Sequence, residues 1–118
     1  MREYEAMIIL SPDLDDSGVN EIVGQVGTLV SREGGEVTLA GQLTGKKGHI
    51  IEATEGWRVR RLAYSIGGRK EGYYVVLRFS TQPSVLAELE HRLKLNENVL
   101  RHLVLHAKEG VTRLAEKK

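Results

Sequence analysis

Tyr73-Tyr74-Val75-Val76-Leu77-Arg78-Phe79 is the stretch on which the fold turns. It is aromatic and β-branched, a composition that suits a pleated, half-buried surface, and it predicts a strand. Ahead of it, Gly67-Gly68-Arg69-Lys70-Glu71-Gly72 predicts a turn of several residues. Trp57 through Ile66 predicts the strand that enters this turn. Behind it, Thr81 to Ser84 opens a helix, with Pro83 suited to the first turn. Leu86, Leu89 and Leu93, with Val85, give that helix one apolar stripe, and Asn96-Glu97-Asn98 breaks it. Val99 to Ala107 predicts the last strand.

The upstream half mirrors this order. Glu3 to Leu10 predicts a strand with Ala6, Ile8 and Leu10 on one face, ended by Ser11-Pro12-Asp13. Asp15, Asp16 and Ser17 are candidate N-caps. Val19, Ile22, Val23, Val26, Leu29 and Val30 then recur at helical spacing. Gly24 and Gly27 weaken this helix by about 1 kcal/mol each relative to Ala, and are expected to let it sit close to a sheet. Gly34-Gly35 supplies a left-handed C-cap. Val37 and Leu39 begin another strand. Thr44-Gly45-Lys46-Lys47-Gly48 has the character of a hairpin tip before the strand-like run His49-Ile50-Ile51.

The order is strand–helix–strand–strand–helix–strand. That is an α+β chain of the split βαβ, ferredoxin-like type (βαββαβ): an antiparallel four-stranded sheet with two helices on one face. The other face is left for a partner. The expected organisation is one domain over 1–107, with an insertion at 41–56 forming a hairpin in or near the second strand. A polar tail follows over 108–118, where Val111 and Leu114 are too few to anchor it.

Composition narrows the function. The 118 residues suit one domain of ordinary size. With no Cys there is no thiolate zinc site, disulfide or thiol nucleophile. Apolar runs are far short of the ~20 residues of a membrane helix, and Met1-Arg2-Glu3-Tyr4-Glu5 lacks signal-peptide order. The expectation is a soluble, cytoplasmic protein with no membrane contact. The net charge of +1 hides a split: Met1–Gly56 holds 4 Lys+Arg and 10 Asp+Glu, while Trp57–Lys118 holds 13 and 6. Such a split permits two partners, one RNA and one basic protein.

Catalysis has little support, and no enzyme activity, small-molecule substrate, cofactor or metal is expected. His102 and His106 share a strand face but lie ~13 Å apart, too far to share a metal. Asp13, Asp15 and Asp16 are explained by helix capping. The basic residues say more. Arg58, Arg60 and Arg61 sit beside Trp57 and Tyr64, with Arg78 on the next strand. Guanidinium groups fork onto phosphates and stack on bases, and interleaved aromatics suit RNA. Solubility and pairing with Glu52, Glu55 or Glu71 is the bland alternative.

Four collinear segments resemble the bacterial small-subunit ribosomal protein S-six family. They are Tyr4-Glu5 with Leu10-Ser11-Pro12-Asp13-Leu14-Asp15, then Arg60-Arg61-Leu62-Ala63-Tyr64-Ser65-Ile66, Glu71-Gly72-Tyr73-Tyr74, and Leu95-Asn96-Glu97-Asn98-Val99-Leu100-Arg101. Arg58 stands where the family usually has Gly, and Ser65 where it has Pro. Gly41 to about Thr54 is extra, inserted in what the family forms as one long strand. The resemblance implies a structural protein of the small ribosomal subunit, without enzyme activity. It implies binding to the central domain of small-subunit ribosomal RNA together with ribosomal protein S-eighteen. Arg2, Tyr4, Arg60, Arg61, Arg78, Asn98 and Arg101 are then expected near RNA or partner, and Arg58 and Tyr64 join them on their chemistry. A ferredoxin-like ligand-binding or self-dimerising domain without RNA affinity is the alternative. 

Overall fold

The computed structural model describes residues 1–44, 49–52 and 56–107. The expected hairpin tip at 45–48 and the tail at 108–118 lie outside the described residues. The elements are β1 (Arg2–Leu10), α1 (Asp16–Ser31), β2 (Glu36–Thr44), β3 (His49–Glu52), β4 (Val59–Ile66), β5 (Arg69–Thr81), α2 (Pro83–Leu95) and β6 (Val99–His106). All strands join one antiparallel sheet, ordered β3-β2-β5-β1-β6, with β4 also paired to β5. This is the ferredoxin-like α+β fold with a hairpin added beside the second strand.

The long strand β5 sits at the centre. One edge carries β1 along its whole length, from Arg2 opposite Thr81 to Leu10 opposite Tyr73. The other edge carries two strands end to end. β2 spans Ser80 to Val75, and β4 takes over at Tyr73. The turn before β5 is shorter than expected. β4 ends at Ile66 and β5 begins at Arg69, so the turn is Gly67-Gly68 alone. Both glycines have positive φ, 56° and 79°, which a two-residue hairpin needs and other residues resist. The Gly-Arg-rich stretch masked strand character that ladder pairing supplies. β4 starts at Val59, not Trp57, for a reason given below.

Strand alternation splits the side chains. Tyr4, Ala6, Ile8 and Leu10 of β1 and Tyr73, Val75, Leu77 and Phe79 of β5 face the helices. They meet Val19, Ile22, Val26, Leu29 and Val30 of α1 and Val85, Leu89 and Leu93 of α2 in one buried core. Asp15 is the N-cap of α1, its Oδ1 accepting from the Gly18 N–H at 2.8 Å. Pro83 opens α2, and Gly34 (φ 83°) turns the chain after α1. Gly24 and Gly27 do not serve close packing, because a Cβ on either would meet nothing within 4 Å. They lie on the open side of α1.

Tyr4 is a correction to the expected site. Its ring is 4% exposed and packs on Phe79, centroids 5.9 Å apart, with His106 stacked on it at 5.3 Å. It is core, because its even position on β1 points it at the helices.

Tyr73 ties the sheet to the loop before α1. Its phenol donates to the Leu14 carbonyl at 2.7 Å. Burial, helped by Asp16 and Asp15, raises its pKa above the ordinary 10.0. Folding therefore favours the protonated phenol, and stability falls as pH rises past the unfolded value near 10. Tyr73→Phe should cost about 1 kcal/mol at neutral pH through the lost hydrogen bond. Urea unfolding at several pH values should show that gap shrinking above pH 10, since only the wild type has this phenol to ionise.

Candidate nucleic-acid interface

The sheet face away from the helices carries the odd positions of β1 and the even positions of β5. The registers lay out three rows across it. Tyr74, Ile9 and Arg101 form the first, Val76, Met7 and Leu103 the second, and Arg78, Glu5 and Leu105 the third. Neighbours along such a row sit about 5 Å apart and touch.

The first row is aromatic and cationic. Arg60, opposite Gly72 on β4, holds its guanidinium carbon 5.3 Å from the centre of the Tyr74 ring. Arg101 lies 5.4 Å from the centre of the Tyr64 ring and donates to its phenol oxygen at 2.6 Å. Tyr64 is 57% exposed, unusual for so large a ring. The ladder of β4 slips between Arg61 and Ile66, and Tyr64 lies within that irregular stretch. Two cation–π pairs thus stand at one end of the face, each able to offer guanidinium donors to phosphate and an aromatic plane to a base.

The second row is apolar. Val76 is fully buried and packs with Leu43, and Met7, Tyr74 and Leu105 pack around them. The third row is an ion pair. Glu5 is 0% exposed, and its Oε2 accepts from Arg78 Nη2 at 2.7 Å and Nε at 3.2 Å. Arg78 is thereby committed to the fold, although 43% of its side chain is exposed.

The remaining expected residues scatter. Arg61 is exposed opposite Glu71, where alternation turns it to the helix-bearing side of the sheet. Arg58 is exposed just ahead of β4. Asn98 is exposed in the turn after α2, and its carbonyl accepts from the Ser11 N–H at 2.8 Å. Arg2 is exposed at the far end of β1, opposite Thr81. The structure therefore groups Arg60, Tyr64 and Arg101, and separates Arg2, Arg61 and Arg78 from them.

Trp57 departs from the sequence expectation. It does not interleave with the arginines. Its backbone N–H donates to Asp16 Oδ1 at 2.9 Å and its indole Nε1–H to Asn20 Oδ1 at 2.8 Å, both on α1, and its ring packs on the core. These bonds hold residue 57 away from the β5 edge, so β4 begins two residues later. The acidic cluster is likewise spent within the molecule. Asp15 caps α1, Asp16 holds Trp57, and Asp13 pairs with Arg69, whose hydrogen bond lowers the Asp13 pKa. Sequence reasoning missed Tyr74 and Ile9, which complete the aromatic row. Their signal was parity, since both share a face with Arg60 and Arg101 once the registers are known.

No group of three or more His, Asp or Glu able to hold a metal occurs among the described residues. The fold and this face define a small α+β binding module of the ferredoxin-like type. Its sequence matches the family described as Ribosomal protein S6 over residues 38–106. The small ribosomal subunit protein bS6 of Desulforamulus reducens is 32% identical over 109 residues, covering 92% of this chain and 100% of that one. That of Thermobifida fusca is 41% identical over 105 residues, covering 89% and 95%. In fold, the crystal structure of 30S ribosomal protein S6 from Thermotoga maritima matches with a TM-score of 0.71 and 22% identity, covering 98% of this chain and 97% of that one. The chain belongs to the ribosomal protein S6 family. It is a structural protein of the small ribosomal subunit, not an enzyme.

The arginines of the face divide by job, and stability separates them. Arg78→Ala takes the guanidinium away from the buried Glu5 carboxylate and should cost about 2–3 kcal/mol, below the full cost of breaking a buried pair because Arg78 is half-exposed. Arg60→Ala gives up a surface cation–π contact and should cost under about 1 kcal/mol. Urea denaturation of the two variants checks the contrast.

Proposed function

We propose that the protein binds the central domain of small-subunit ribosomal RNA through the aromatic and cationic end of its open sheet face, beside ribosomal protein S-eighteen. Arg60, Tyr64 and Arg101 form the core of the RNA contact, with Arg58 and Asn98 flanking it. Arg2 and Arg61 reach phosphates from the periphery. Its place of action is then the cytoplasmic ribosome. The observation that carries this reading is the first row: two Arg–Tyr pairs on the face left free by both helices. Membership of the family supports small-subunit ribosomal RNA as the ligand.

The apolar second row favours a protein neighbour on the same face, because Leu103 is 38% exposed beside Met7. We assign that place to S-eighteen. Self-association across the same row is the competing occupant, and sedimentation of the isolated chain separates the two. A stable homodimer without RNA affinity favours the competitor.

Binding of a central-domain RNA fragment, with S-eighteen present, is measured across a salt series. Log affinity should fall linearly with log salt, with a slope near −0.9 for each phosphate neutralised. Arg60→Ala with Arg101→Ala should weaken binding by about tenfold or more and flatten that slope by about 1–2, with the unfolding midpoint nearly unchanged. An unchanged affinity and slope in a folded double variant would remove these residues from the RNA contact.

A further inference from the structure

The edge of β5 is shared by two strands, β2 and β4, and the registers locate the joint between them at the 41–56 insertion expected from the sequence. Gln42 stands opposite Val75, and Val59 stands opposite Tyr73. One place separates them, opposite Tyr74. If the chain passed straight from Gln42 to residue 58, Arg58 would fill that place and every pair beyond it would keep its partner. The segment 43–57 is therefore an insertion that leaves the register undisturbed. Parity is preserved with it, so Arg60 stays on the same face as Tyr74.

The joint is closed by a side chain. Gln42 is 4% exposed, and its Oε1 accepts from the Arg58 backbone N–H at 2.9 Å. Its Nε2 donates to the Gly56 carbonyl at 3.0 Å. In an uninterrupted strand the Gln42 carbonyl carbon would be bonded to that same Arg58 nitrogen. The carboxamide thus spans the cut with an acceptor for the incoming strand and a donor for the outgoing segment. Asp16 and Asn20 anchor the neighbouring Trp57 from the other side. Gly56, at φ 104°, makes the turn between these holds, and a Cβ there would lie 2.7 Å from Asp16 Oδ2.

We propose that residues 43–57 form an in-register graft, and that Gln42 is the positioning residue that splices β2 to β4 without a covalent bond. The splice keeps Val59 and Arg60 at their places on the edge of β5. Its value for RNA binding rests on the proposed function above, but the splice itself does not depend on it.

The test needs no RNA. Gln42→Met keeps the volume and drops both hydrogen bonds. In the full chain it should speed hydrogen exchange at the Arg58 amide by tenfold or more, with the β1–β5 amides unchanged. A second chain has 43–57 excised and Gln42 joined to Arg58. Its cross-strand NOEs should place Val59 against Tyr73 and Arg60 against Gly72, as in the full chain. A lower Tm is expected there, since Trp57 and its packing are gone. In that excised chain Gln42→Met should leave the exchange of residue 58 unchanged, because a peptide bond has replaced the splice. Equal effects of Gln42→Met in both chains would make Gln42 an ordinary packing residue and overturn its role. A shifted register, or an excised chain that does not fold, would overturn the graft. Loss of RNA binding with splice and register intact would count against the proposed function alone.

Discussion

Everything in this molecule hangs on the two edges of a thirteen-residue strand, Arg69–Thr81. A strand offers backbone donors and acceptors along both sides, and buried ones must be paired. β1 meets this demand on one side without interruption. On the other, β2 and β4 meet it in sequence. Pairing fixes parity, and parity decides which side chains see the helices and which see a partner. A slip of one residue in β4 would carry Arg60 to the helix side and turn Val59 and Arg61 to the open face. The fold and the binding face are therefore a single constraint, expressed once in hydrogen bonds and once in side chains.

That constraint explains why arginines close in sequence or space do different work. Arg78 and Arg60 both lie on the open face, yet a fully buried carboxylate claims Arg78. Removing a charge from water is costly unless it is paired, so Glu5 holds its partner in place. Arg60 and Arg101 each lie over an aromatic ring, and a cation–π contact at an exposed site is worth about 1 kcal/mol or less. The difference lies in what sits beneath each guanidinium.

Much of the fold was legible in the sequence because its signals are local. Periodicity marked α1 and α2, Asp15 and Pro83 marked their starts, and Tyr73 to Phe79 marked the central strand. The family resemblance rested on motifs such as Arg60 to Ile66, which stand in order along the chain. The misreadings share one cause. Arg69 to Gly72 looks like a turn, and becomes strand only because β4 pairs with it. Tyr4 is expected near RNA or partner from the resemblance, with a core-edge aromatic as the alternative, and it is core because its parity faces α2 and α1. Trp57 looks like a neighbour of Arg58, and belongs instead to Asp16 and Asn20, forty residues away in the chain. Each depends on a pairing that composition alone does not reveal, across the two-residue hairpin for Arg69 to Gly72 and with distant elements for Tyr4 and Trp57. The Arg–Tyr pairs were half legible: their residues were visible in the sequence, but Tyr74 and Ile9 entered only with the registers.

The position of the insertion follows from the same physics. An added segment is tolerated where it leaves buried ladders paired and side chains on their own faces. In the middle of β5 or β1 it would break two ladders at once. At the joint between β2 and β4 it breaks one, at a strand paired to β5 on one side, and the Gln42 carboxamide supplies hydrogen bonds at the cut. The hairpin then pairs Gly41 to Thr44 against Glu52 to His49, while Gly41 and Gln42 keep their pairs with Val76 and Val75 of β5. Arg60 and Tyr74 meet as they would on an unbroken strand, so the chain gains an arm at the sheet edge while the face beside it keeps its geometry.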